Sequence, residues 1–252
     1  MNPLIALLAV TTGYLAGSIS FARVIVKLFA PQQDINRIEI EVPDSAARYE
    51  SRAVSATSVG LHLGSRYGCL TGILDILKAT LPALAFKLWQ PEGPYYLLAA
   101  GMAAVGHNWP LYYRFRGGRG MSPIMGGMLV IDWLGVLVTN LVGLVADLAI
   151  KNTLVSSGIW LVLMIPWIWL RWGVGAELAY VVAMAVLFWA SMIPEWRELL
   201  RLRREGVLEN LRQAREVRVS SRLDGGTALQ MSTSDLLAAL LSRLRRRSDD
   251  ST

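Results

Sequence analysis

Long apolar blocks are the feature that most restricts how this chain can fold. Of its 252 residues, 54% are hydrophobic and nine are tryptophan, and the mean hydropathy is +0.41. A helix of about 20 apolar residues crosses the ~30 Å hydrocarbon core of a bilayer, where every backbone polar group must be satisfied within the protein. The sequence therefore predicts an all-α, polytopic membrane protein.

The apolar blocks divide into about seven membrane-embedded helices, one of them short or re-entrant. The predicted segments are residues 4–26, 67–89, 95–113, two short passes within 122–150, then 153–170 and 174–193. Asp132-Trp133 and Gly135 mark a break between the short passes, because residues 123–131 cannot cross ~30 Å at about 1.5 Å per residue. Two passes there, rather than one, place the arginine-rich loops and the tail in the cytoplasm and the N-terminus outside.

Positive charge is concentrated in the loops and the tail. The formal net charge is +6, and the 25 lysines and arginines are densest beyond Pro194. We expect residues 1–194 to form a membrane domain and residues 195–252 a basic cytoplasmic tail, with amphipathic helices over 195–218 and 235–247. This distribution favours anionic membrane lipid, and not nucleic acid, as the counter-charge.

Cys69 is the single cysteine and lies in an apolar run. One cysteine can form neither an internal disulfide nor a thiolate metal site. The sequence predicts a buried structural thiol.

The segment GHNWPLYYRFRGGRGMSP, residues 106–123, has the composition of an anion-binding loop. Its arginines and glycines alternate closely: Arg114, Arg116, Gly117, Gly118, Arg119 and Gly120. Glycine lets backbone N–H groups approach a ligand, and the planar guanidinium matches phosphate oxygens. His107 ends the preceding apolar run and, with an ordinary pKa near ~6.5, could act as a general base. The alternative is a tight loop whose arginines only set the topology.

Asp75 and Lys78 lie inside the second predicted span. Their i, i+3 spacing puts them on one helix face, where they can neutralise each other. Ionisable groups inside a membrane are costly, so the pair is either a structural tie between helices or part of a substrate site. It also leaves open a small transporter or channel.

Several runs, in order, resemble the motifs of the bacterial acyl-phosphate:glycerol-3-phosphate acyltransferases. They are Gly17-Ser18-Ile19-Ser20-Phe21, Asp34-Ile35, Ser55-Ala56-Thr57-Ser58, Gly68 through Asp75 to Lys78, and GHNWPLYYRFRGGRG. The resemblance covers roughly residues 13–125. It implies a seven-helix membrane enzyme that transfers a fatty acyl group from acyl phosphate to glycerol 3-phosphate, giving lysophosphatidic acid, without a metal or cofactor.

The resemblance also implies roles for individual residues. His107, Ser51 and Arg119 would be catalytic. Substrate binding would fall to Thr57, Ser58, Arg52, Arg116, Gly117, Gly118, Gly120, Asp75 and Lys78.

The first cytoplasmic loop departs from the family pattern GSGNxGATNxxR. Residues 50–61 keep Ser51 and Thr57, lose both asparagines, and have Leu61 in place of the arginine. Arg52 or Arg66 could supply the missing charge. These substitutions motivate an alternative, a catalytically altered member that binds lipid phosphates or uses another acceptor.

Two further motifs also differ. Arginines, Arg116 and Arg119, replace the two lysines of the family's FKGGKG segment, which keeps the charge and changes its geometry. Near the last span, residues 196–202 only loosely match an HRxNxxRL pattern, with Glu198 where asparagine is expected.

Overall fold

The computed structural model describes residues 1–36, 38–41, 48–51, 53–150 and 153–207. In these ranges the helices are α1 (Pro3–Ser18), α2 (Phe21–Phe29), α3 (Ala56–Leu63), α4 (Ser65–Trp89), α5 (Tyr95–Asn108), α6 (Met121–Ile150), α7 (Thr153–Trp172), α8 (Ala176–Ser191) and α9 (Ile193–Arg204). The all-α class is confirmed. One small departure was not predicted: strands β1 (Ile38–Glu41) and β2 (Arg48–Ser51) pair antiparallel within the first long loop, with Ile38 opposite Ser51.

The first predicted span is two helices in the structure. α1 ends at Ser18, and Ile19 and Ser20 take extended backbone angles before α2 begins at Phe21. The break frees backbone carbonyls that a continuous helix would have bonded internally. As described below, one of them becomes part of the polar centre.

α1 and α5 lie in very close contact because glycines face alanines between them. A methyl group added to Gly13 would lie 2.1 Å from the Ala99 carbonyl oxygen, and one on Gly17 would lie 2.1 Å from that of Ala103. Small residues four apart let membrane helices approach to backbone contact. This contact fixes the end of α5, where His107 lies, against the α1–α2 break.

α5 ends earlier than the sequence analysis expected. The predicted third span ran to residue 113, but the helix stops at Asn108 and a short 3-10 turn covers Leu111–Tyr113. Pro110 explains the difference, since proline restricts the residue before it to extended angles and cannot continue the helical hydrogen bonds.

The predicted break at Asp132 is confirmed. Asp132 has φ −153° and ψ 91°, outside the helical region, and its side chain accepts a hydrogen bond of 2.9 Å from the N–H of Gly135. That is the geometry of an N-cap, so a new helix starts after Asp132.

The two arms of α6, residues 121–131 and 133–150, fold back on each other. Trp160 of α7 touches both: its indole N–H donates to the sulfur of Met121 at 3.2 Å, and a methyl on Gly143 would lie 3.3 Å from its Cβ. In a straight helix those two residues would be about 33 Å apart. α6 is therefore a helical hairpin whose tip is Asp132, as the two short passes predict.

By length and composition, three helical stretches are long and apolar enough to cross a membrane: Pro3–Phe29, Ser65–Trp89 and, if it is counted as one helix across the break at Asp132, Met121–Ala146. The count becomes four if α8 and α9, bent by 40°, form one span. The total of seven embedded segments remains a prediction. So does the division into membrane domain and tail, because residues 208–252, with the predicted helix 235–247, lie outside the described residues.

Cys69 corrects one expectation. It is exposed on α4, not buried, because it lies on the outward face of a helix whose other face carries the buried Gly68 and Thr71. On a membrane helix an apolar neighbourhood in sequence does not imply burial in protein, since lipid also accommodates apolar side chains.

Candidate functional site

Lys78 is the centre of a buried polar cluster. Its ammonium group lies 2.8 Å from Asp75 Oδ1, 2.7 Å from the carbonyl oxygen of Ile19 and 2.9 Å from His107 Nδ1. Lys78 and Asp75 are buried, and so is His107. Asp75 Oδ1 also lies 3.6 Å from His107 Nδ1, so each of the three side chains is close to both others. The cluster joins α4, α5 and the α1–α2 break.

The contact with Lys78 favours one tautomer of His107. Since the ammonium donates to Nδ1, that nitrogen accepts, and the proton of a neutral imidazole resides on Nε2. Nε2 faces Gly118, where an added methyl would lie 2.2 Å from it. In that tautomer His107 can donate a hydrogen bond from Nε2, whereas the general-base role predicted from the sequence requires Nε2 without its proton.

The two loops predicted to form a phosphate site contact each other directly. The N–H of Val54 donates to the carbonyl oxygen of Gly117 at 3.1 Å, and the N–H of Gly118 donates to that of His107 at 3.1 Å. Glycine is required at 118, because a side chain would strike both the imidazole and the Val54 carbonyl oxygen, 2.9 Å away. The first loop and the arginine loop are thereby fixed around His107.

A narrow crevice lies between these elements, and in this structure it is too tight to hold a water molecule. Its walls are Gly17, Ser18, Ile19, Ser20, Val54, Lys78, His107, Pro110 and Gly118. A ligand that enters here would therefore have to move these elements apart.

Asn108 lies beside the glycine loop and was not singled out from the sequence. Gly120 has φ +79°, and a side chain there would come within 2.7 Å of the Asn108 amide oxygen. Both polar atoms of this amide are buried and have no hydrogen-bond partner among the described residues. Because Gly120 has no side chain, it leaves room for the Asn108 amide, which has both a hydrogen-bond donor and an acceptor.

Arg119 has an ionic partner that the sequence did not reveal. Its Nε lies 3.1 Å from Glu195 Oε1 at the start of α9, and its carbonyl oxygen accepts from the Ser191 hydroxyl at 3.0 Å. Glu195 is buried while Arg119 is partly exposed. The contact holds the end of α8 and the start of α9 beside the site loops, with Arg119 partly neutralised.

The remaining predicted residues have different positions. Arg116 is exposed, with its carbonyl oxygen accepting from Arg23 at 2.7 Å. Thr57 is exposed near the start of α3, and Ser58 is buried, donating to the Ala53 carbonyl oxygen at 2.7 Å. Ser58 also completes a capping box with Ser55, so its hydroxyl is engaged in holding α3.

The other predicted first-loop residues, Ser51 and Arg52, lie at the end of β2 and just after it in the sequence. Ser51 is the last residue of β2, two positions before the Ala53–Val54 backbone that borders the site. Arg52 lies outside the described residues. Arg66, the other proposed source of charge, is exposed and its guanidinium lies 4.8 Å from the ring centre of Tyr67.

Comparison with known proteins identifies the family. A family model described as "Glycerol-3-phosphate acyltransferase" matches residues 7–202. A glycerol-3-phosphate acyltransferase of Shouchella clausii is 31% identical over 153 residues, 60% of this chain and 69% of the relative. A glycerol-3-phosphate acyltransferase of Aquifex aeolicus is 34% identical over 143 residues, which cover 52% of this chain and 67% of that relative. One from Legionella pneumophila (strain Corby) is 31% identical over 148 residues, which cover 58% of this chain and about half, 49%, of that relative.

Solved structures agree. PlsY (YgiH), an integral membrane glycerol 3-phosphate acyltransferase, is similar in its glycerol 3-phosphate form, with a TM-score of 0.67 and 26% identity. That match covers 78% of this chain and 92% of PlsY. The lysophosphatidic acid form of PlsY matches this chain with a TM-score of 0.66. This chain is an integral membrane protein and belongs to the glycerol-3-phosphate acyltransferase family.

Proposed function

We propose that this protein transfers a fatty acyl group from acyl phosphate to glycerol 3-phosphate, producing lysophosphatidic acid at the bacterial plasma membrane. The observation that carries the proposal is the junction of the first loop and the arginine loop around His107 and the Lys78–Asp75 pair. Family membership favours acyl transfer over the transporter alternative. The acyl-phosphate donor is our inference, whereas glycerol 3-phosphate is the acceptor for which the relatives are named.

The proposed reaction balances without a metal or redox partner. The sn-1 hydroxyl of glycerol 3-phosphate attacks the acyl carbonyl, the new ester C–O bond forms, and the bond between carbonyl carbon and phosphate oxygen breaks. The hydroxyl proton ends on the released inorganic phosphate. Since the mixed anhydride is already activated, the protein has mainly to orient the reactants and stabilise negative charge.

The geometry supports specific roles. His107 Nε2 faces Gly118, and both residues line the crevice, so an Nε2–H would donate there to an oxygen that gains charge. Lys78 keeps Nδ1 occupied and thus holds the imidazole in that tautomer, while Asp75 balances the lysine charge. The arginine loop, with Arg116, Arg119 and the glycine N–H groups, would hold a phosphate. Ser51 and Thr57 would contribute from the first loop, beside Ser58, which caps α3, and Arg52.

We place the site on the cytoplasmic side. The first loop, the arginine loop and the start of α9 contact one another, as shown by Val54 with Gly117 and by Arg119 with Glu195. They therefore lie on one side of the membrane, and their arginines favour the cytoplasm. The acyl chain would extend from the crevice between the helices towards lipid.

The decisive experiment uses purified protein with acyl phosphate and glycerol 3-phosphate, followed by detection of lysophosphatidic acid. We expect turnover by the wild type and its loss in His107→Ala and Arg119→Ala, with monodisperse folded protein in each case. A folded wild-type protein that makes no product would refute the proposal. Wild-type rates in both variants would mean that the arginines of this loop only set the membrane topology.

One observation favours a second candidate, transfer to a different polar acceptor. Glu195 places a carboxylate 3.1 Å from the arginine that would bind the acceptor phosphate. A carboxylate there disfavours a dianion and is compatible with an uncharged polyol. Parallel assays with glycerol, glycerol 3-phosphate and dihydroxyacetone phosphate separate the two candidates. A higher kcat/KM for glycerol than for the two phosphates would favour the uncharged acceptor.

A further inference from the structure

Arg23 of α2 is held at the edge of the crevice by three neutral acceptors. Its Nη2 donates to the carbonyl oxygen of Arg116 at 2.7 Å, its Nη1 to the hydroxyl of Ser20 at 3.3 Å, and its Nε to the amide oxygen of Asn36 at 3.1 Å. The guanidinium also lies 4.5 Å from the centre of the Tyr113 ring. Both Ser20 and the arginine loop border the crevice, so the group bridges its two rims.

The charge of Arg23 is not balanced by a contacting carboxylate. Among the described residues Lys78 pairs with Asp75 and Arg119 with Glu195, whereas the hydrogen-bond acceptors of Arg23 are a carbonyl, a hydroxyl and an amide. A guanidinium has five N–H groups, and three are used here. Two N–H groups and the positive charge are left for a ligand.

A small relay fixes the orientation of this guanidinium. Asp34 Oδ1 accepts from the backbone N–H of Asn36 at 2.9 Å and from its side-chain amide at 2.7 Å. These two bonds hold the pKa of the Asp34 carboxyl below its ordinary value, so it stays ionised at neutral pH. They also turn the Asn36 oxygen towards Arg23. Asp34 thus acts on Arg23 through Asn36 and through its nearby negative charge, without a direct salt bridge.

The position of Arg23 relative to the reacting groups is also informative. Its charge interacts electrostatically with His107, and Arg116 is two residues before Gly118, which His107 faces. The first loop carries Leu61 where the family pattern has arginine, and Leu61 is 44% exposed on α3. Arg23 is a cation on α2, a helix that contacts α3.

We infer that Arg23 is a further substrate-binding residue, which binds the phosphate group of the acceptor through its two remaining N–H groups. The inference rests on the proposed function, since it names a residue of the same site. An arginine fork suits this task because it presents parallel N–H donors to phosphate oxygens. Asn36 and Asp34 are then positioning residues for it.

The test begins with equilibrium binding of glycerol 3-phosphate to the full-length protein in detergent, without acyl phosphate. Arg23→Gln removes the charge, and we expect its Kd to rise about tenfold or more, as for loss of a hydrogen bond to a charged group. Arg23→Lys keeps the charge and should recover part of the affinity. Lys27→Gln is the matched control, because Lys27 is an exposed cation one turn further along α2 and should bind as the wild type does.

Kinetics then separate binding from a purely structural role. We expect Arg23→Gln to raise KM for glycerol 3-phosphate about tenfold and to leave KM for acyl phosphate within about twofold. Equal increases in both KM values, or an unchanged Kd, would overturn the inference and assign Arg23 to holding the loop. If Arg23→Gln does not fold, as judged by gel filtration and thermal unfolding, the same comparison between Arg23→Lys and wild type decides.

The outcome is distinguishable from that of the proposed function. A wild type that binds glycerol 3-phosphate without acylating it contradicts the proposed reaction, while weaker binding by Arg23→Gln still supports this residue. If the wild type acylates glycerol 3-phosphate and Arg23→Gln has the same Kd and KM values, the proposed reaction is supported and the role of Arg23 is contradicted. Failure of the wild type to bind glycerol 3-phosphate would overturn the inference.

Discussion

The ammonium group of Lys78 lies 2.7 Å from the carbonyl oxygen of Ile19, at the break between the first two helices. This contact ties α4 to α1 and uses a backbone acceptor that exists only because the helix is interrupted. The same ammonium holds His107 and Asp75, so the break in α1–α2 is part of the site.

The Lys78–Asp75 pair should contribute strongly to stability when one partner is removed. Lys78→Met leaves a buried carboxylate unpaired, and we expect the free energy of unfolding to fall by about 3–5 kcal/mol. The double variant Asp75→Asn/Lys78→Met removes both charges and should lose less. Thermal unfolding in detergent measures both, and a single variant that is as stable as the wild type would show the pair to be dispensable.

Gly118 should tolerate no side chain. In Gly118→Ala the added methyl would lie 2.2 Å from His107 Nε2, so the imidazole or the loop must move. A displacement of about 1 Å at a reacting group can cost about a hundredfold in rate, and we expect a kcat reduction of that order. Gly72→Ala in α4 is the control, since its methyl would meet Ala56 Cβ at an ordinary 3.7 Å. Equal activity in both variants would contradict the assigned position of His107.

Glu195 should oppose the binding of an anionic acceptor. Glu195→Gln keeps the shape and removes the charge that partly neutralises Arg119, so KM for glycerol 3-phosphate should fall about threefold, or about 0.7 kcal/mol, within the range of partly exposed ion pairs. Steady-state kinetics with saturating acyl phosphate measure this change. A higher KM would mean that the carboxylate positions Arg119 for the substrate instead of competing with it.

Asp132 should stabilise the α6 hairpin without taking part in the reaction. Its carboxylate caps the second arm, accepts from the Trp167 indole N–H at 3.2 Å and pairs with Arg171 at 3.3 Å. Asp132→Ala should lower the free energy of unfolding by about 2 kcal/mol, with normal activity per folded molecule. Arg171→Ala should cost about 1 kcal/mol or less, because that side chain is 45% exposed. A loss of kcat in folded Asp132→Ala would link the hairpin tip to catalysis.

The orientation in the membrane can be tested with reporter fusions. A reporter placed after Gly206 should be cytoplasmic, because the tail arginines favour that side. A reporter at the N-terminus should be outside. A periplasmic signal after Gly206 would contradict the predicted two passes within residues 122–150, which place the tail in the cytoplasm, and with them the cytoplasmic position of the site.

Much of the architecture followed from local sequence patterns. Apolar blocks predicted the helices. Asp132-Trp133 and Gly135, together with the short length of residues 123–131 and the charge of the loops, predicted the break. The i, i+3 spacing predicted the Asp75–Lys78 pair. In contrast, the β1–β2 hairpin and the exposure of Cys69 were missed, since pairing of a polar loop and the lipid-facing side of a helix depend on neighbours distant in sequence.

The sequence by itself determined that the chain is helical, that it is embedded in a membrane, and that a loop rich in glycine and arginine follows His107. These properties follow from composition and short spacings, which act within one or two helical turns. Only the tertiary structure decided which groups meet. Lys78 reaches Ile19 across 59 residues, Arg119 reaches Glu195 across 76, and Arg23 reaches Arg116 across 93. Such contacts are set by close approach of glycine-faced helices and by the folding back of α6, and no local pattern encodes them.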